Sequence, residues 1–369
     1  MTPAPSNPGS ADPASRRRLH ASLAAALSQL DDAGLAALLA GAEFLGSGIG
    51  GTRVLARVEG SPVFVKRVPL SDLERRPEHV RSTANLFGLP PGCHYGIASP
   101  AYGAWRELVA NEVATGEVLA GRSPCYPLMF HARVLEDEAG PARSRLPAEL
   151  ADIDAEVAQW GGDDGVRRRL EAVAGASATI NLFFEYLPTT LGTWLDRQRT
   201  AGDGAIDAAI ARIERALRTD VPAMNAAGLF HFDAHFENLL IDDERLYFAD
   251  FGLAVSPDFA LADEERRFLE ANATHDPVHT ITRFVDWLVT AFAAAPDGPT
   301  RDAIIERVAD GDPTAMVGVR PAAVAVIERY APVAAVVNEF YRRLHLEDRG
   351  ATYPTEAVEQ AWSRVRADD

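Results

Sequence analysis

The stretch His231–Ala254, HFDAHFENLLIDDERLYFADFGLA, holds the densest chemistry in the chain. Its polar residues fall as H-x-D-x-H-x-x-N, with Asp250 twelve positions after Asn238 and followed by Phe251 and Gly252. Between Asn238 and Asp250, two short apolar runs flank an Asp-Asp-Glu turn. They predict a hairpin that folds the two residues together. Such a set suits phosphoryl transfer. Asp233 would orient an acceptor hydroxyl and take its proton, while Asp250 and the amide oxygen of Asn238 supply the hard oxygen ligands that Mg²⁺ prefers. His231 is expected to brace the loop by hydrogen bonding, and His235 either to brace it or to touch the acceptor. A competing reading takes H-x-D-x-H as zinc ligands of a metallohydrolase. It finds only His275 and His279 as further histidines, in a helical context, and leaves the features upstream unused.

Working back from this stretch, EFLGSGIGGTRVLARVEGSPVFVKRV (Glu43–Val68) alternates apolar and polar residues between two glycine-rich turns. It predicts strand, glycine loop, strand, tight turn, strand. Gly46, Gly48 and Gly51 form G-x-G-x-x-G. Thr52 stands where a Walker loop needs Lys, and a dinucleotide-binding turn needs a helix where this sequence continues as strand. A flap whose backbone amides approach phosphates fits the context. Lys66 lies fifteen residues beyond Gly51 and is the one lysine among 36 cationic side chains. Coding bias accounts for the arginines. A strand lysine under a glycine flap, however, does work that a wide guanidinium does not. Glu112, on the helix predicted for residues 104–120, is the expected carboxylate partner of Lys66, with Glu107 as second choice.

The rest of the chain divides by pattern. Residues 1–14 are rich in Pro, Ser and Ala and predict a disordered tail. Residues 15–42 predict a helical N-terminal extension, with Ser15 capping its first helix. Residues 43–186 predict a strand-rich lobe with one main helix, interrupted by insertions at about 75–103 and 136–176. Residues 187–369 predict a helical second lobe carrying the catalytic loop and the metal-binding segment. The fold class is therefore α+β and bilobal.

A formal net charge of −17 argues against a nucleic-acid partner. Thirteen acidic residues against three arginines between Asp220 and Asp276 lean toward a cationic acceptor if part of that charge faces the cleft. No apolar run has membrane-spanning length. Two cysteines, Cys93 and Cys125, make no disulfide framework, so a reducing cytoplasm is the expected location.

Together these motifs resemble the protein-kinase-like superfamily, which includes eukaryotic-type protein kinases and small-molecule kinases such as aminoglycoside phosphotransferases and choline kinases. The resemblance runs over about residues 43–290. GSGIGG resembles its phosphate-covering loop, VFVK its lysine strand, HFDAHFEN its catalytic loop and ADFGLA its metal-binding segment. FFEYLPTTLGTWL is similar to the hinge, which implies that backbone groups of Glu185 and Leu187 pair with adenine. FVDWLVT around Asp286 is similar to a helix that supports the catalytic loop. Phe232 stands where many protein kinases carry Arg, no A-P-E follows DFGLA, and His235 matches small-molecule kinases. The resemblance implies ATP and Mg²⁺ as cofactors and transfer of the γ-phosphate to a hydroxyl of a protein Ser/Thr or of a small, cationic molecule. Transfer of AMP, or nucleotide sensing without catalysis, are the alternatives on the same fold.

Overall fold

The computed structural model describes residues 12–48, 50–97, 99–136, 152–312 and 314–367. All but the last three residues of the predicted tail thus lie outside the described residues. Helix α1 (Pro13–Ser28) begins inside that tail. Asp12, not Ser15, is its cap, accepting the N–H groups of Ala14 and Ser15. Helix α2 (Asp32–Ala40) follows, capped by Asp31.

Five antiparallel strands come next: β1 (Glu43–Gly48), β2 (Gly51–Val58), β3 (Ser61–Leu70), β4 (Met129–Glu136) and β5 (Ala178–Glu185). Their order in the sheet is β1-β2-β3-β5-β4, so β3 is central. Alternation along β3 sends Val63 and Val65 to one face, where α1 and α2 cover them with Leu23, Leu27, Leu35 and Leu39. The other face presents Phe64, Lys66, Val68 and Leu70. Its apolar members pack on Ala104, Trp105 and Leu108 of helix α3 (Ala104–Leu119). The sheet is thus sandwiched between helices. Lys66 lies on the α3 face because its register parity puts it there.

The two sequence insertions fold onto each other. Helices α4 (Ile153–Gln159) and α5 (Asp164–Ala174) bury Val157, Val166, Leu170 and Val173 against Phe87, Leu89, Cys93 and Tyr102. This block also spans both lobes. Thr83 accepts the Ala260 N–H and Arg349 donates to Gln159, while Arg106 of the helix that follows the first insertion donates to the Thr83 carbonyl and pairs with Glu265 at 2.6 Å in a buried contact.

Beyond β5 the chain is helical: α6 (Leu191–Ala201), α7 (Asp203–Ala226), α8 (Asp263–Ala271), α9 (His275–Phe292), α10 (Gly298–Ala309), α11 (Pro321–Leu346) and α12 (Thr355–Ala367). The hairpin β6 (Leu239–Ile241) and β7 (Leu246–Phe248) interrupts them, pairing Leu239 with Phe248. No single described helix is long and apolar enough to cross a membrane. The leucines of the apolar pair α1–α2 are spent on the sheet.

Candidate active site

Between the sheet and the helical lobe lies a cleft of about 500 Å³. Lys66, Glu107, Glu185, Leu187, Asp233, His235, Asn238 and Asp250 all line it. The glycine turn roofs it. Gly51, at φ +114°, runs so close to β3 that a Cβ there would sit 2.1 Å from the Arg67 carbonyl oxygen, which no side chain tolerates. A Cβ on Gly50 would lie 3.2 Å from Lys66 Nζ, which puts the turn directly over the ammonium. Gly46 and Gly48 lie on β1, the near edge of the same roof.

Lys66 Nζ sits 2.6 Å from Glu107 Oε1 and 2.7 Å from Asp250 Oδ1. Burial alone would depress its pKa, but the two carboxylates outweigh that and raise it, so the ammonium keeps its proton. Its carboxylate partner on α3 is Glu107, not Glu112. Glu107 stands in the first turn of α3 and is buried, whereas Glu112 is five positions on, about 140° around the helix. Glu112 instead takes a bidentate contact from Arg81, with Arg81 Nη1 at 3.0 Å.

Asp233 lies on the loop between α7 and β6. Its Oδ2 accepts a hydrogen bond from Asn238 Nδ2 at 3.1 Å, and that same nitrogen reaches the Asp233 carbonyl at 2.9 Å. Burial drives the Asp233 pKa up to about 7, with Asp250 adding to the rise and His231 and Lys66 opposing it. The opposite holds for Asp250. Burial would raise its pKa, but the charge and hydrogen bond of Lys66 hold it below the ordinary carboxylate range. Asp250 adopts φ +65°, a sparsely populated backbone that turns its carboxylate toward Lys66.

The donor set fits a hard divalent cation. With the Asn238 amide nitrogen committed to Asp233, its oxygen is the group left for a ligand, beside the ionised Asp250. Among the described residues no group of three or more His, Cys, Asp or Glu side chains converges as a metal site, so the zinc-hydrolase reading finds no ligand set. His231 Nε2 bonds the Ala249 carbonyl at 2.9 Å, its ring buried beneath the loop. His235 accepts the Glu237 N–H through Nδ1, and its Nε2 is 3.8 Å from Asp233 Oδ1. Burial lowers its pKa, which favours the neutral ring.

One further expectation is corrected. Asp286 does not support the loop. It sits ten residues, about 15 Å, along α9 from the residue that does. It binds Asn338 Nδ2 at 2.7 Å and the guanidinium groups of Arg283 and Arg301. Asp276, in the first turn of α9, accepts the N–H of His231 at 2.6 Å and of Phe232 at 2.7 Å. It thereby holds the loop in a shape that leaves Phe232 at φ +63°. Of the two hinge residues, Glu185 donates its backbone N–H to the Leu128 carbonyl at 2.8 Å, so that group is not free for a base.

The Glu185 carboxylate faces away from the cleft, into Arg16 of α1, with Nε–Oε1 at 3.1 Å and Nη2–Oε2 at 2.6 Å. Arg16 also donates to the carbonyls of Pro124 and Tyr126 and lies over the Tyr247 ring. A 1% exposed arginine on the N-terminal extension thus holds the hinge from behind. The sequence carries no spacing that links position 16 to position 185. Asp276 had a faint signal, an acid beside two histidines at a helix start.

The model of the phosphotransferase enzyme family, APH, matches residues 41–261, and the chain belongs to that family. No curated protein matches the chain.

Proposed function

We propose that this phosphotransferase moves the γ-phosphate of ATP to the hydroxyl of a small, cationic acceptor, with Asp233 as the base. The observation that carries the reading is the convergence of Lys66, Asp233, Asn238 and Asp250 in one cleft beneath the glycine turn. Lys66 is a compact charge held by two carboxylates at the cleft's inner end, suited to the non-transferred phosphates. Asp250 and the Asn238 amide oxygen would hold Mg²⁺, which when bound neutralises phosphate charge.

Asp233, with a pKa near 7, is poised to accept a proton at neutral pH. The acceptor oxygen gives its proton to the carboxylate and bonds to the γ-phosphorus. The bond from that phosphorus to the bridging oxygen breaks, and ADP leaves with the electron pair. Asp233 and Glu237 bring negative charge to this side of the cleft and His235 is held toward neutral, which favours a cationic acceptor.

Incubation with γ-labelled and α-labelled ATP, with and without Mg²⁺, tests the proposal. Label should pass from the γ position to a small molecule, only with Mg²⁺. Transfer from the α position, label confined to protein, or no transfer to any acceptor in a cell extract would refute it.

A further inference from the structure

Phosphoryl transfer by Asp233 requires that one of its carboxylate oxygens meet the acceptor. Oδ2 already accepts from Asn238, which leaves Oδ1 as the less committed oxygen for the acceptor. Oδ1 has at least two neighbours. One is His235, its Nε2 at 3.8 Å. Another comes from the first insertion, far away in sequence. A Cβ on Gly96 would lie 2.5 Å from Oδ1, 3.2 Å from Cγ and 3.8 Å from Leu253 Cδ1. A carbon there would occupy the hydrogen-bonding shell in which an acceptor oxygen must sit.

The turn that delivers Gly96 is fixed. Residues Pro91–Tyr95 form a short helical turn, and Gly96 ends it at φ +83°. His94 is buried, stacks on Tyr102 with ring centroids 4.0 Å apart, and donates through Nδ1 to the Leu253 carbonyl at 2.8 Å. Tyr95 donates its hydroxyl to Asn272 and packs among Phe232, Phe268 and Phe340. These contacts fasten the turn to the loop carrying Asp233 and to the segment after Asp250, so a side chain at position 96 would press on the Asp233 carboxylate. The turn presents bare backbone to Asp233 because the chain has glycine there.

We propose that the turn Pro91–Gly96 is the acceptor-side wall of the site. Gly96 is a positioning residue that keeps Asp233 Oδ1 open to the acceptor hydroxyl. The inference rests on the phosphotransfer reading above. Its test separates the two, because access to Oδ1 is measured without turnover.

Wild type, Gly96→Ala, Gly96→Asn and Gly60→Ala are treated at pH 6 with a water-soluble carbodiimide and glycinamide, and label at Asp233 is quantified by peptide mass spectrometry. Gly60, at φ +80° with nothing within 4 Å of its would-be Cβ, matches the backbone cost of Gly96 without the contact. Asn tolerates a left-handed backbone better than Ala, so Gly96→Asn keeps the test alive if Gly96→Ala does not fold. Wild type and Gly60→Ala should label at Asp233, and the Gly96 variants at least tenfold less. Binding of a fluorescent ATP analogue should stay within twofold in all four. Equal labelling of the Gly96 variants overturns the proposal. So does an unlabelled wild-type Asp233, or failure of both Gly96 variants to fold while Gly60→Ala folds. The failure of the phosphotransfer reading looks different: Asp233 labels as expected, yet wild type passes no label from γ-labelled Mg-ATP to any acceptor in a cell extract.

Discussion

Replacing Asp233 with Asn should make the protein more stable at pH 8.5 and no more stable near pH 4. The folded-state pKa of Asp233 is raised from 3.8 to about 7, chiefly by burial. A carboxyl raised in this way favours folding most when protonated, below 3.8. That contribution is lost as pH climbs through 7, where the native state must hold a poorly solvated charge. That rise, from 3.8 to about 7, corresponds to about 4 kcal/mol at most. The side chain is 26% exposed, and the water reaching it brings the expected gain to about 2–4 kcal/mol. With an unfolding entropy of about 2.1 cal/mol/K per residue, a chain of 369 residues should gain about 3–5 °C in Tm. Asn keeps an oxygen for the Asn238 hydrogen bond, so little offsets the gain. Differential scanning fluorimetry of both proteins from pH 4 to pH 8.5 reads the difference directly. A gain independent of pH, or a loss at pH 8.5, would refute the reasoning. The same variant should lose at least about a hundredfold in phosphoryl transfer.

Lys66→Arg should cut transfer by about a hundredfold while leaving the fold intact, because the planar fork does not fit under Gly50 between two carboxylates; steady-state kinetics check it. Glu107→Gln should raise the KM for ATP by tenfold or more while Glu112→Gln leaves it unchanged, a direct comparison of the two acids on α3. Arg16→Met should destabilise by about 3–5 kcal/mol, since it strands Glu185 as a buried unpaired charge. Adding Glu185→Leu should recover much of that loss in a denaturant melt, and no recovery would mean that Arg16 acts chiefly through its carbonyl contacts.

The sequence made the cleft legible where chemistry is local. Asp233, Asn238 and Asp250 fall within eighteen residues, and a two-strand hairpin is enough to join them. Lys66 was placed by strand parity, which needs only a period of two. The misreadings share one physical cause. Glu112 and Asp286 lie on the right helices at the wrong turn, because which face of a helix meets a strand depends on where the helix starts. Here α3 starts at Ala104, whose N–H is held by Glu74 just before the insertion. Contacts with no periodic signature were invisible altogether. Arg16 reaches Glu185 across 169 positions and Gly96 reaches Asp233 across 137, each through packing of a segment that no periodicity in the sequence ties to the site.

The solitary lysine also makes the chain its own unfolding reporter. An endoproteinase that cuts only after lysine has one target in the 369 residues, and that bond lies in the central strand of the sheet with its side chain 7% exposed. Cleavage there needs β3 to leave its neighbours, so the folded protein should resist the enzyme and yield two fragments once this lobe opens. Under conditions where reclosing outpaces cutting, the rate measures the open population of the strand-rich lobe alone. A nucleotide that binds against Lys66 should slow it in proportion to its occupancy.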